Sequence, residues 1–161
     1  MEVFPKLSFG PAPKSATIED LKEKHNVFVN LRTHTETSHW YCTVDDDDEE
    51  EEHIYISFPI PNRELPKTPE LLKVCAKIVN LVQNGHSVYI HDVDGVTNGG
   101  PMVLGCYYWL KKDPKLDPIK DMRARNEYLL CADKEQVKQL AEIKMFAQKQ
   151  WRWGGWGFTK K

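Results

Sequence analysis

From His91 to Gly100 the chain reads His-Asp-Val-Asp-Gly-Val-Thr-Asn-Gly-Gly, and these residue types suit reaction chemistry better than packing. Two carboxylates, Asp92 and Asp94, stand beside the imidazole of His91. Thr97 and Asn98 add a hydroxyl and an amide, and Gly95, Gly99 and Gly100 leave the backbone open to close approach. Carboxylates and an imidazole at this spacing can hold a metal ion or exchange protons. A small-residue loop leading into a helix does something different: it aims backbone N–H groups at an anion. The two halves conflict. Asp92 and Asp94 put negative charge where an anion would sit, and no Lys or Arg occurs from His91 to Leu110.

Such a loop needs a strand to deliver it and a helix to receive it. Val88-Tyr89-Ile90 is the expected strand and Met102 to Leu110 the expected helix. Ahead of the strand, Leu71, Leu72, Val74, Cys75, Ile78, Val79 and Val82 recur at three- and four-residue spacing. They predict an amphipathic helix opening at Thr68 or Pro69 and closing at Asn84-Gly85. Val27 to Leu31 reads as a buried strand, and Trp40 to Val44 as another. From His53 to Ile60 an alternation places Ile54, Ile56 and Phe58 on one side and Tyr55 and Ser57 on the other. A short helix is expected from Thr17, as N-cap, to Lys24. Two more are expected over Ile119 to Leu130 and Lys134 to Gln150. Residues 1–16 carry Pro5, Gly10, Pro11 and Pro13, too many breakers for regular structure, so an N-terminal arm is expected.

A chain of 161 residues with 40% hydrophobic content can bury a sizeable core as one domain. Cys42, Cys75, Cys106 and Cys131 show no zinc-ligand spacing, and no metal or cofactor is expected. Without a secretory segment or an 18-residue apolar run, the chain reads as soluble and intracellular, in cytoplasm or nucleus. The net charge of −2 conceals an asymmetry. Of 24 acidic residues, eight form the run Asp45 to Glu52, leaving 16 against 22 Lys and Arg, a net of +6 elsewhere. Eight adjacent carboxylates repel one another, so a solvated loop is expected at 45–52, with a decoy for basic partners or a cation-collecting segment as the alternatives.

Two families resemble the central stretch. Asp92-Val93-Asp94-Gly95 is similar to the nucleophile motif of haloacid-dehalogenase-like phosphatases, where the first Asp attacks phosphorus and both Asp help hold magnesium. In that fold the motif lies on the first strand, with a Lys and an acidic metal motif over a hundred or more following residues; here 61 residues follow Gly100. The longer resemblance is to protein tyrosine and dual-specificity phosphatases, whose loop reads H-C-x-x-G-x-x-R-[ST]-G between strand and helix. His91, Gly95 and Gly100 match in register, and Gly105-Cys106-Tyr107-Tyr108-Trp109-Leu110 resembles the end of that family's helix. Phe58-Pro59-Ile60-Pro61-Asn62-Arg63-Glu64-Leu65-Pro66 resembles the family's P-I-x-D-x-x-x-P segment, and Val29-Asn30-Leu31-Arg32 its early strand. The resemblance covers roughly residues 26–148. It implies an α/β fold with a central, mostly parallel sheet flanked by helices, and a phosphate loop made of His91, Asp92, Val93, Asp94, Gly95, Val96, Thr97, Asn98 and Gly99.

The departures from that pattern fall on the chemistry. In the family a Cys thiolate attacks, an Arg grips the phosphate oxygens and an Asp protonates the leaving group. Asp92, Asn98 and Asn62 stand at those three positions, so the resemblance implies a catalytically dead member, a pseudophosphatase. The Asp92 carboxylate would repel each unit charge of a phosphate at ~4 Å by roughly 4 kcal/mol at an effective dielectric near 20. It can instead lie in the amide cup as an internal anion, with His91 a structural hydrogen-bonding residue. The tail 151–161 has no family counterpart: Trp151, Trp153 and Trp156, with Phe158 and three cations, suit a contact with the body, a partner or a second copy. A binding role toward a protein or a phosphorylated ligand is therefore expected, with no membrane. The alternatives are an Asp92-dependent magnesium phosphatase, and an RNA-binding or RNA 5′-phosphatase-like protein whose tail stacks on bases.

Overall fold

The computed structural model describes residues 2–11, 16–31, 53–58, 60, 66–92, 99–125 and 134–153, with the backbone alone at Asp92 and Trp153. Five strands form one sheet: β1 (Glu2–Phe4), β2 (Leu7–Pro11), β3 (Val27–Asn30), β4 (Ile54–Ser57) and β5 (Val88–Asp92). Their order is β1-β2-β5-β3-β4, parallel throughout except for the antiparallel β1–β2 pair. The helices are α1 (Ile18–Lys24), α2 (Thr68–Gln83), α3 (Gly100–Lys111), α4 (Pro118–Ala124) and α5 (Lys134–Trp153). The expected mostly parallel sheet with flanking helices is what forms.

Register explains why both faces are apolar or aromatic. Leu7, Val88, Val27 and Ile54 stand abreast, as do Phe9, Ile90, Val29 and Ile56. Together with Leu71, Ile78, Val103 and Trp109 they make the helix-side core. One residue on, the other face carries Ser8, Tyr89, Phe28 and Tyr55 abreast, then Gly10, His91, Asn30 and Ser57. Here the rings do the packing: Tyr55 stacks on Phe28 at 5.8 Å, Tyr89 meets Phe28 edge-on at 6.1 Å, and His25 tilts against Tyr89 at 5.3 Å. The Tyr89 hydroxyl passes over Gly10 to donate to the Pro11 carbonyl at 2.7 Å, occupying the space a Cβ on Gly10 would need.

Each helix follows from its sequence pattern. In α2 the buried residues are Leu71, Cys75, Ile78, Val79 and Val82, and the helix ends through Gly85 at φ 93°, a conformation glycine adopts without strain. α3 has no polar face before Lys111, since every residue from Gly100 to Leu110 is buried. It is the central helix, packed on α2 and on α5, whose Ile143 touches the space beside Gly105. α4 opens on Asp117, whose carboxylate accepts from the Lys120 N–H at 3.3 Å. No helix among the described residues is long and apolar enough to cross a membrane.

Three expectations need correction. Within the expected N-terminal arm, the described residues 2–11 form two strands and their turn. Pro5 falls in the β1–β2 turn, with Lys6 at φ 71°, and Pro11 ends β2, so the breakers bracket the strand that pairs with β5. The helix expected over Ile119 to Leu130 closes at Ala124, where Arg125 turns its guanidinium to the Val3 carbonyl at 3.1 Å and pins β1. Thr17 stands at the N-cap of α1, but its hydroxyl makes no capping bond. Helix α5 runs slightly past its expected end, to Trp153. The strand expected at Trp40 to Val44 and the acidic run Asp45 to Glu52 lie outside the described residues.

The aromatic face carries a pH signature. His25 is half-buried, its Nδ1 2.9 Å from Ser87 Oγ. Burial is the main cause that holds its pKa below the ordinary 6.5, with the Lys24 charge acting in the same direction. The neutral ring is therefore the one the fold favours. Above pH 6.5 folded and unfolded chains are both neutral here. As pH falls below that value the unfolded chain takes up a proton first, and stability drops until the folded-state pKa is passed. Melting temperature is expected to decline from pH 7 to 5.5 more in the native chain than in His25→Gln. Equal slopes for the two chains would remove His25 from the explanation.

Candidate functional site

β5 ends at Asp92 and α3 begins at Gly100, so the stretch between them crosses from sheet to helix at the C-terminal edge of the parallel strands. That edge is where ligands bind in open α/β sheets. The frame holding the crossing is well defined. The Leu31 N–H donates to the His91 carbonyl at 2.9 Å, and the Ile60 N–H donates to the Leu31 carbonyl at 2.9 Å. Ile60 is thus tied through β3 to the last turn of β5, and the segment bearing Asn62 departs from that point. Its other end is fixed as well: Pro66 gives its carbonyl to Gln139 Nε2 of α5 at 2.8 Å. The described ends of the two stretches, Ile60 and His91, are thus joined through Leu31 at one edge of the sheet.

His91 is fully buried on the aromatic face, its ring stacked on Tyr89 at 5.9 Å and 26°. Asp92 is the last residue of β5 and pairs with Pro11 across the sheet. Gly99 is the N-cap of α3, and its carbonyl accepts from the Val103 N–H at 2.9 Å. A Cβ on Gly99 would stand 2.7 Å from Phe9 Cε1 and 2.9 Å from Leu31 Cδ1. Its φ of −88° is open to any residue, so glycine is set here by close approach alone. Val93, Asp94, Gly95, Val96, Thr97 and Asn98 lie outside the described residues, and so does Asn62. Of the tail aromatics, Trp151 is partly buried. Its Nε1 donates to the Trp109 carbonyl at 3.1 Å and its ring lies 5.1 Å from Tyr108. The Trp153 side chain and Trp156 lie outside the described residues.

Because Phe9 and Leu31 are fully buried, neither can swing aside. Gly99→Ala should cost about 1–3 kcal/mol of stability through overpacking. That corresponds to a melting temperature lower by roughly 2–12 °C for a domain of this size. An unchanged melting temperature would mean that the start of α3 is looser than it stands here.

A cysteine-dependent reaction needs an accessible, low-pKa thiol. Cys75 and Cys106 are free and buried between α2 and α3, Cys75 Sγ 4.0 Å from the Met102 carbonyl and Cys106 Sγ 3.9 Å from the Cys75 carbonyl. Burial pushes the Cys106 thiol well above its ordinary pKa, and its neighbour Cys75 adds to the shift. Both are packing residues. The sequence had no signal for Gln139 as the anchor of the Pro66 end, since a lone amide on an amphipathic helix looks like a surface residue. Only the tertiary contact identifies it.

No protein-family model matches this sequence, and no curated protein matches it in sequence. Solved structures do match in shape. The active form of Tk-PTP superposes with a TM-score of 0.69 at 18% identity, over 89% of this chain and 94% of that one. Human DUSP28 gives a TM-score of 0.63 at 16% identity, over 92% and 96%. PTPMT1 gives 0.72 at 13% identity, over 95% and 98%. The chain therefore has the fold of protein tyrosine and dual-specificity phosphatases. Identities this low establish the fold and carry no chemistry with them.

Proposed function

We propose that this chain is a pseudophosphatase: a dual-specificity-phosphatase-like fold that acts by binding a protein partner and has no phosphatase turnover. The observation that carries the reading is the residue at the end of β5. β5 ends at Asp92, the residue that the sequence resemblance aligns with the family's nucleophilic Cys. A carboxylate there is a poor substitute. It repels the incoming phosphate, and Asn98 supplies no cation to offset that repulsion. Asn62, at the position the resemblance gives to the general acid, can hydrogen-bond a leaving oxygen but has no proton to give up. In this reading the three departures remove thiolate attack, the Arg grip and proton donation together.

Calorimetric titration with tungstate, a phosphate mimic, tests the anion side of this reading. The native chain should show no saturable binding up to ~1 mM, and Asp92→Ser should gain some because the loop then carries one negative charge fewer. Tight tungstate binding by the native chain, abolished by a change in the loop, would contradict it. A second reading has the Asp92-Val93-Asp94 spacing in its favour: a magnesium-dependent phosphatase with Asp92 as nucleophile. Magnesium-dependent aryl-phosphate hydrolysis lost in Asp92→Asn would establish that instead.

A further inference from the structure

The outer face of α5 is built differently from the rest of the surface. Leu140, Ile143 and Ala147 turn inward, and Ile143 packs beside Gly105 of α3. Met145, turned to the opposite side, is 61% exposed, and Val137 at the edge of the same side is 43% exposed. These are the large hydrophobics exposed among the described residues. At 100° per residue, Lys134, Lys138, Lys149 and Arg152 all fall within about 40° of Met145 around the helix. All four are exposed, and among the described residues none forms an ion pair. Of the helix's other charges, Lys144 lies 5.2 Å over the Tyr108 ring, Glu142 accepts from Thr68 at 2.8 Å, and Glu135 stands about 80° around the helix from Met145. Along the axis the face reads cation pair, apolar centre, cation pair, over ~27 Å.

We infer that this face of α5 is a docking surface for an acidic protein segment with apolar residues between its acidic flanks. The inference rests on the binding-protein reading above and gives the partner its chemistry. Charge complementarity sets the flanks: unpaired cations at both ends suit carboxylates at both ends, steering encounter and fixing register. The centre is set by Met145, an adaptable thioether of the kind enriched at interfaces. A nucleic acid fits less well. The gap from Lys138 to Lys149 holds no outward cation to follow a phosphate backbone, and no described aromatic of this helix is turned outward to stack a base. Phe146 packs on Trp109 at 5.6 Å and Trp151 on Tyr108. A face ~27 Å long and one helix wide is at the small end of specific interfaces, so a transient, micromolar contact is expected.

Fluorescence anisotropy on the full chain tests this. One probe is a labelled 18-residue peptide with four Leu at helical spacing in its centre and three Glu on each side; the other is a labelled 20-mer of oligouridylate. The peptide should bind in the micromolar range and weaken between 50 and 300 mM NaCl. Met145→Ser should reduce its affinity about fivefold, and Lys138→Glu with Lys149→Glu by more than tenfold, with melting temperatures unchanged because all three residues are exposed. Replacing the peptide's Leu by Ser should abolish binding. The proposal is overturned if the peptide fails to bind, if Met145→Ser and the charge reversal leave its affinity intact, or if oligouridylate binds more tightly than the peptide and ignores Met145→Ser. None of these outcomes depends on phosphatase turnover, so failure here and failure of the pseudophosphatase reading are separately visible.

Discussion

Asp92→Cys combined with Asn98→Arg is expected to turn this chain into a weak aryl phosphatase, whereas the native chain is expected to show no turnover. Two physical changes act together. Removing the carboxylate ends a repulsion of roughly 4 kcal/mol per unit of phosphate charge at ~4 Å, and the guanidinium adds a bidentate, charge-assisted grip. A thiol in a loop that leads into a helix N-terminus, as the resemblance implies at position 92, is also where a lowered pKa is expected. The surrounding frame is already in place. His91 is fully buried against Tyr89, and Gly99 seats the start of α3 on Phe9 and Leu31. Adding Asn62→Asp should then raise kcat by ~10²–10⁴ on alkyl phosphates and by less on aryl ones, since protonation matters most for a poor leaving group. Steady-state kinetics with aryl and alkyl substrates separates the two contributions. A triple variant that folds and binds tungstate but hydrolyses neither substrate would place the defect in the path of the loop rather than in its side chains.

The second large effect is on stability. Trp109 is 1% exposed at the centre of the helical layer, edge-on to Phe146, with its carbonyl taking the Trp151 Nε1–H bond. Truncating it removes the largest buried side chain from the seam between α3 and α5. Trp109→Ala is expected to cost about 3–5 kcal/mol. Single domains have only 5–15 kcal/mol in total, so the variant should melt far below the native chain or fail to accumulate folded. Chemical denaturation gives the number. A loss under 1 kcal/mol would mean that α3 and α5 pack less tightly than these contacts indicate. Because α3 also begins at the candidate site, instability there should weaken tungstate binding in the restored triple variant before it unfolds the sheet.

What could be read from the sequence, and what could not, divides by the range of the interactions involved. The strand at Val88 and the central helix were legible because an apolar run, a glycine-rich crossing and a second apolar run are local patterns. α2 was legible from its three- and four-residue spacing, and its buried set matches the expected stripe at Leu71, Cys75, Ile78, Val79 and Val82. β2 was not legible. Pro5, Gly10 and Pro11 signal interruption locally, yet Leu7 and Phe9 become core residues because β5, some 80 positions away, supplies their ladder partners. The end of α4 was equally non-local, since it coincides with the reach of Arg125 to Val3. At the candidate site the sequence located the strand–loop–helix crossing and the segment after Ile60. The link from Ile60 through Leu31 to His91 required the fold.

Hydrolysis of p-nitrophenyl phosphate by the unmodified full chain, followed with and without magnesium and beside Asp92→Ala, is the most direct measurement. Release at the buffer rate in every case is the expected result for a phosphatase frame without phosphatase chemistry. Release above buffer that Asp92→Ala abolishes would contradict it and make Asp92 a nucleophile.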